Sequence, residues 1–98
     1  MNILKKEDGS ALTLSLEGRL DTTTSPVLEA ELKNSVEGVT ELIIDMAALE
    51  YISSSGLLVL LSAQKVMNRQ GKMCVRNVND IIMEIFDVTG FVDILTIE

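Results

Sequence analysis

Leucines at positions 12, 14 and 16 alternate with Thr13, Ser15 and Glu17, the two-residue period of a strand with one buried face. An Asp8-Gly9 turn signal precedes this run, so Asn2 to Glu7 and Ala11 to Glu17 are predicted to form a β-hairpin. Gly18-Arg19-Leu20-Asp21-Thr22-Thr23-Thr24 reads as a polar loop that ends at Ser25-Pro26, a helix cap followed by proline at the first helical position. Leu28, Leu32 and Val36 then recur every fourth residue while Glu29, Glu31 and Lys33 face away, and Gly38 marks the end of this first helix. Leu42-Ile43-Ile44-Asp45-Met46 has the continuous apolar character of a central strand buried on both faces, with Ala47 to Ile52 as its connection to the three serines that follow.

From those serines a helical pattern runs to Gln70 and is closed by Gly71. At about 100° per residue, Val59, Leu60, Ala63, Val66 and Met67 share an inner face, opposite Ser62, Lys65, Asn68 and Arg69. Leu58 falls in the polar row and is expected to be exposed. Lys72 to Arg76 is the next strand, and Asn79-Asp80 caps a third helix with Ile81, Ile82, Ile85 and Phe86 inward and Gly90 beyond its end. Ile94 to Ile97 is expected to close the sheet. The resulting order, ββαβαβαβ, predicts a single α/β domain over residues 1–98: a mixed, mostly parallel sheet, antiparallel only at its opening hairpin, with helices packed on it.

Composition narrows what such a domain does. The 98 residues are 47% hydrophobic but only 3% aromatic, which leaves little for stacking on bases or sugars. A formal charge of −7 repels nucleic acid and anionic lipid, so neither nucleic acid nor membrane is expected as a partner. No apolar stretch approaches the ~18 residues of a spanning helix, and Lys5-Lys6 interrupts the N-terminal apolar run, so a cytoplasmic protein is expected. The single cysteine, Cys74, reads as a buried hydrophobe within a strand.

Histidine is absent, which removes the usual general base and the commonest zinc ligand; neither catalysis, a metal nor a cofactor is expected. Ser62-Ala63-Gln64-Lys65 has the S-x-x-K spacing of acyl-enzyme formers without their companion motifs, and no glycine-rich nucleotide loop is present. Asp45 and Asp21 could suggest a Mg²⁺ or aspartyl-phosphate site, but the paired-acid motif after the first strand is missing.

The informative chemistry is Ser53-Ser54-Ser55-Gly56-Leu57, where a strand hands over to a helix. A hydroxyl at a helix N-terminus sits among unpaired N–H groups that tolerate an anion, so a phosphate can be accommodated there. Ser54 is the expected acceptor. Loops leaving the C-terminal ends of parallel strands face one side, so the Asp21 loop should emerge beside the serines. A purely structural capping cluster is the competing reading.

These residues resemble the STAS domain family, and within it the bacterial anti-sigma factor antagonists. The resemblance spans nearly the whole chain: Gly18-Arg19-Leu20-Asp21, the strand with Asp45, the serine turn with Gly56-Leu57, and the closing Asp87-Val88-Thr89-Gly90-Phe91. The family's turn reads Asp-Ser-Ser/Thr-Gly-Leu, so the resemblance implies phosphorylation on Ser54. Here Ser53 replaces the aspartate, making Ser53 and Ser55 rival acceptors. It further implies partner switching: the unmodified protein binds an anti-sigma factor serine kinase and releases the sigma factor, phosphorylation ends that interaction, and a serine phosphatase resets it. Asp21, Thr22, Thr23, Ser53, Ser55, Gly56 and Leu58 are the expected docking residues of a non-enzymatic monomer. The alternative is a STAS interaction module that works unphosphorylated in a stress-signalling or transport assembly.

Overall fold

In the computed structural model, which describes Met1 to Glu98, β1 (Asn2–Asp8) and β2 (Ala11–Leu20) form the expected antiparallel hairpin. Gly9 takes the turn at φ +62, a conformation that glycine adopts without strain. β2 then pairs parallel with β3 (Glu41–Ile52), and β3 parallel with β4 (Lys72–Arg76), giving the order β1-β2-β3-β4. The helices are α1 (Ser25–Ser35), α2 (Ser54–Gln70) and α3 (Asp80–Thr89), and a 3-10 turn follows at Phe91–Asp93. The connections β2-α1-β3 and β3-α2-β4 step in one direction across the sheet, and right-handed crossovers then place both helices on the same face.

That face carries the core. Leu12, Leu14 and Leu16 of β2 lie beside Leu42, Ile44 and Met46 of β3 and Met73 and Val75 of β4, and Leu28, Leu60, Met67, Ile82 and Phe86 from the three helices join the same cluster. Burying each such side chain favours folding by about 1.5–3 kcal/mol before conformational entropy is counted. Ile43 and Cys74 point the other way and are nearly covered, while Asp45 on that face is half-buried; the central strand is therefore polar at one position of its outer side. Burial pushes the Cys74 thiol pKa up, consistent with a packing residue.

Several boundaries depart from the sequence reading. β2 continues through Gly18, Arg19 and Leu20, leaving a loop of Asp21 to Thr24. β3 likewise runs on to Ile52, because two register shifts give it extra residues opposite β2: Ser15 and Glu17 face Asp45 and Ala48, and Gly18 and Arg19 face Leu49 and Tyr51. Each shift breaks the alternation, so the buried residues go from Met46 to Leu49 to Ile52 and look like a loop in sequence. Thr24 occupies the N-cap of α1, and Ser25 is its first residue. Ile81 of α3 is 63% exposed, not inward. The C-terminal segment adds one bridge, Val75 to Ile97, and no strand, so the order is ββαβαβα.

Gly56 locks the start of α2 to the sheet. A methyl group there would lie 2.7 Å from Leu20 Cγ and 2.9 Å from Ile52 Cγ1. Gly56→Ala is expected to destabilise the domain by about 1–3 kcal/mol through overpacking, measured as a lower urea midpoint; an unchanged midpoint would mean that the helix start is free to shift outward.

Candidate functional site

Leu20 and Ile52 are the last paired residues of β2 and β3, so the chain leaves both strands at one edge. The Ser53 amide extends the ladder by donating to the Leu20 carbonyl at 2.8 Å. The Asp21 loop and the serine turn therefore start side by side.

Asp21 closes its own loop. Its carboxylate accepts from the Thr23 amide at 3.0 Å and the Thr24 amide at 3.1 Å. The Thr24 hydroxyl accepts from the Asp21 amide at 2.8 Å and donates to the Arg19 carbonyl at 2.7 Å. The Ser25 hydroxyl, buried, donates to the Asp21 carbonyl at 2.6 Å. The Thr24 amide is the main reason that the Asp21 carboxyl titrates below its ordinary value; the Thr23 amide and the Arg19 guanidinium act in the same direction against partial desolvation. Arg19 sits 3.8 Å from the Asp21 carboxylate and 4.4 Å from the centre of the Tyr51 ring, where its charge meets the electron-rich face.

The three serines have different surroundings. Ser53 is the N-cap of α2, its hydroxyl accepting from the Gly56 amide over a long 3.4 Å. Ser54, the first helical residue, is exposed, and its hydroxyl has no hydrogen bond within the chain. Ser55 is half-buried and lines a cleft of about 270 Å³ with Thr22, Pro26, Glu29, Leu58 and Ser62. The first amides of α2, those of Ser54 and Ser55, have no partner in the helix and none outside it.

The fold thus brings Thr22, Ser55 and Leu58 to one cleft, with Leu58 62% exposed as the row position predicts. Asp21, Ser53 and Ser54 stand at its edge. Thr23 is exposed on the Asp21 loop but does not line the cleft. Gly56 is buried beneath the serine turn, so it places the helix and presents no surface to a partner. Arg19, Tyr51, Pro26 and Glu29 were absent from the sequence reading of this site. Arg19 and Tyr51 become neighbours only through the second register shift, which no residue pattern announces.

Asp45 is remote from this end. It pairs in register with Ser15 and Arg76, and its carboxylate accepts from the Ala47 amide at 2.9 Å and the Asn77 side chain at 3.1 Å. Asp21 and Asp45 do not form a carboxylate pair, and no group of three or more His, Cys, Asp or Glu residues is placed to hold a metal ion.

The STAS domain family model matches residues 2–98. The chain belongs to that family. This STAS domain is 33% identical over 96 residues to BtrV of Bordetella bronchiseptica, covering 96% of the chain and 82% of BtrV. It is 28% identical over 98 residues to the anti-sigma-B factor antagonist of Bacillus subtilis strain 168, covering 99% of the chain and 90% of that protein. Among solved structures, the phosphorylated form of the Bacillus cell fate determinant SpoIIAA superposes with a TM-score of 0.78 at 17% identity, over 99% of this chain and 91% of that one. At that identity the likeness is one of fold, and it extends to the mixed sheet with an antiparallel first pair.

Because the folded Asp21 carboxyl titrates below its unfolded value, its contribution to loop stability is present above the unfolded value and is lost as pH falls through the folded one. The Thr23 and Thr24 amide resonances are expected to titrate with a midpoint below that of aspartate in an unstructured peptide, and Asp21→Ala should abolish this transition. A midpoint at the peptide value would mean that the carboxylate does not hold the loop.

Proposed function

We propose that this STAS domain is an anti-sigma factor antagonist that works by partner switching. Unmodified, it docks an anti-sigma factor serine kinase on the end of the sheet that carries the Asp21 loop, the serine turn and Leu58. Phosphorylation of Ser54 ends that interaction, and a serine phosphatase restores it. The chemistry of phosphate addition and removal resides on those two proteins, and this chain is their substrate and a binding module.

The observation that carries the reading is the contrast among the serines. Ser53 uses its hydroxyl as a helix cap and Ser55 is half-buried against the cleft, whereas Ser54 is exposed with a free hydroxyl. A kinase needs such a hydroxyl on accessible backbone. A phosphate on Ser54 would add about −1.5 to −2 charges beside amides that have no other partner, where the helix dipole favours an anion by roughly 0.3–1 kcal/mol. The domain then stays folded while its docking face gains negative charge. Burying an unpaired dianion against a partner costs several kcal/mol, and every ~1.4 kcal/mol is a factor of ten in affinity. The name of the Bacillus subtilis relative supports the antagonist role, and the existence of a phosphorylated form of SpoIIAA is in keeping with a switch by phosphate.

Incubated with ATP and its cognate kinase, the protein is expected to gain one phosphate by mass spectrometry. Ser54→Ala should gain none, while Ser53→Ala and Ser55→Ala are still modified; undiminished labelling of Ser54→Ala overturns the acceptor. In a direct binding measurement, phosphorylated protein should bind that kinase at least about tenfold more weakly than unmodified protein. Leu58→Ala should weaken binding without lowering the thermal midpoint, since its side chain is 62% exposed.

A further inference from the structure

α3 presents a second apolar surface, and it points away from the core. Ile82 and Phe86 fill the inner side of the helix, whereas Ile81 and Val88 are 63% and 78% exposed and Ile85 is half-buried. Positions 81, 85 and 88 fall within about 60° of the helix circumference, so the three side chains form one stripe along it. Ile94, 43% exposed, follows the 3-10 turn that folds back against α3. α1 and α2 pack on each other, while α3 packs on β3 and on that turn, so the stripe is separate from the cleft beside Ser54.

Its rim has a single sign. Residues 77–98 contain Asp80, Glu84, Asp87, Asp93 and Glu98 and no lysine or arginine, so this segment carries −5 of the chain's −7. Asp80, Glu84, Asp87 and Asp93 are exposed and form no ion pair, whereas Glu98 is held by Arg76 at 3.0 Å. Asp80, Glu84 and Asp87 lie along one side of the exposed aliphatic stripe, with Asp93 on the turn beyond, and such unneutralised carboxylates repel a second copy of the same surface, nucleic acid and anionic lipid alike. They favour a cationic surface that also has aliphatic side chains to insert.

We infer that the α3 face is a second docking surface, and that its occupant is a basic amphipathic helix of a partner protein. Aliphatic anchors on such a helix lie along the Ile81, Ile85 and Val88 stripe, and its flanking lysines or arginines meet Asp80, Glu84 and Asp87. This surface operates whether or not Ser54 is modified. The protein can then hold one partner on α3 while the serine turn exchanges another.

The test uses a synthetic amphipathic helical peptide with one leucine face and lysine elsewhere, titrated into the isotopically labelled full chain. Amide shifts are expected on α3 and the following turn, with affinity falling as salt is raised. Ile81→Ser/Val88→Ser, two substitutions at exposed positions, should weaken binding at least about tenfold while circular dichroism shows the same fold. Glu84→Gln/Asp87→Asn should keep the stripe but lower both affinity and its salt dependence. The counterpart peptide with glutamate in place of lysine should not bind. Shifts centred on the serine turn, equal affinity of the Ser/Ser variant, self-association of the chain that this variant abolishes, or capture of α3 by phosphatidylcholine vesicles in place of the peptide would each overturn the inference.

Discussion

The hydrogen bond from the Ser53 amide to the Leu20 carbonyl, 2.8 Å long, is the contact on which the functional end depends. It extends the parallel ladder one step past the last paired residues and fixes where the Asp21 loop and α2 begin relative to each other. Gly56 makes that placement possible, because the first turn of α2 can settle on Leu20 and Ile52 only without a side chain between them. The end of the central strand pair, the close packing and the loop hydrogen bonds thus act on the same few residues. The Asp21 loop and the start of α2, with its free Ser54 hydroxyl, are thereby held side by side.

Asp21 illustrates how a residue named by a family resemblance acquires a physical role. Its carboxylate is engaged by two amides of its own loop and by the nearby guanidinium of Arg19, so its first effect is to hold Thr23 and Thr24, and with them the loop that contains Thr22, in place. Thr22 then faces the cleft opposite Ser55. Removing the carboxylate loosens one wall of that cleft.

Much of this was legible in the residues themselves. Alternating leucines, the Asp8-Gly9 turn, the Asn79 cap and the apolar rows of α1 and α2 place the elements correctly because each of those signals is local. The misreadings have different causes. β3 reads as ending at Met46 because its register shifts against β2 break the period, and Ser25 has the residue type of a cap although its hydroxyl is drawn back to Asp21. Ile81 reads as inward by hydrophobicity alone, but the core side of α3 is filled by Ile82 and Phe86. For the site, the serine turn and Leu58 were visible from position, whereas the meeting of Arg19 with Tyr51 was not, because it arises from pairing two residues in different strands.

Tyr51 is the one tyrosine in a chain that has no tryptophan, and its ring lies beneath the Arg19 guanidinium two residues before the serine turn. Whatever tyrosine emission the molecule gives therefore comes from the end of the sheet where the Asp21 loop and the serine turn begin. Quenching or release of that light reports movement of Arg19 or shielding from water at that one place. The protein carries a built-in optical gauge of this end of the sheet, and no dye needs to be attached to use it.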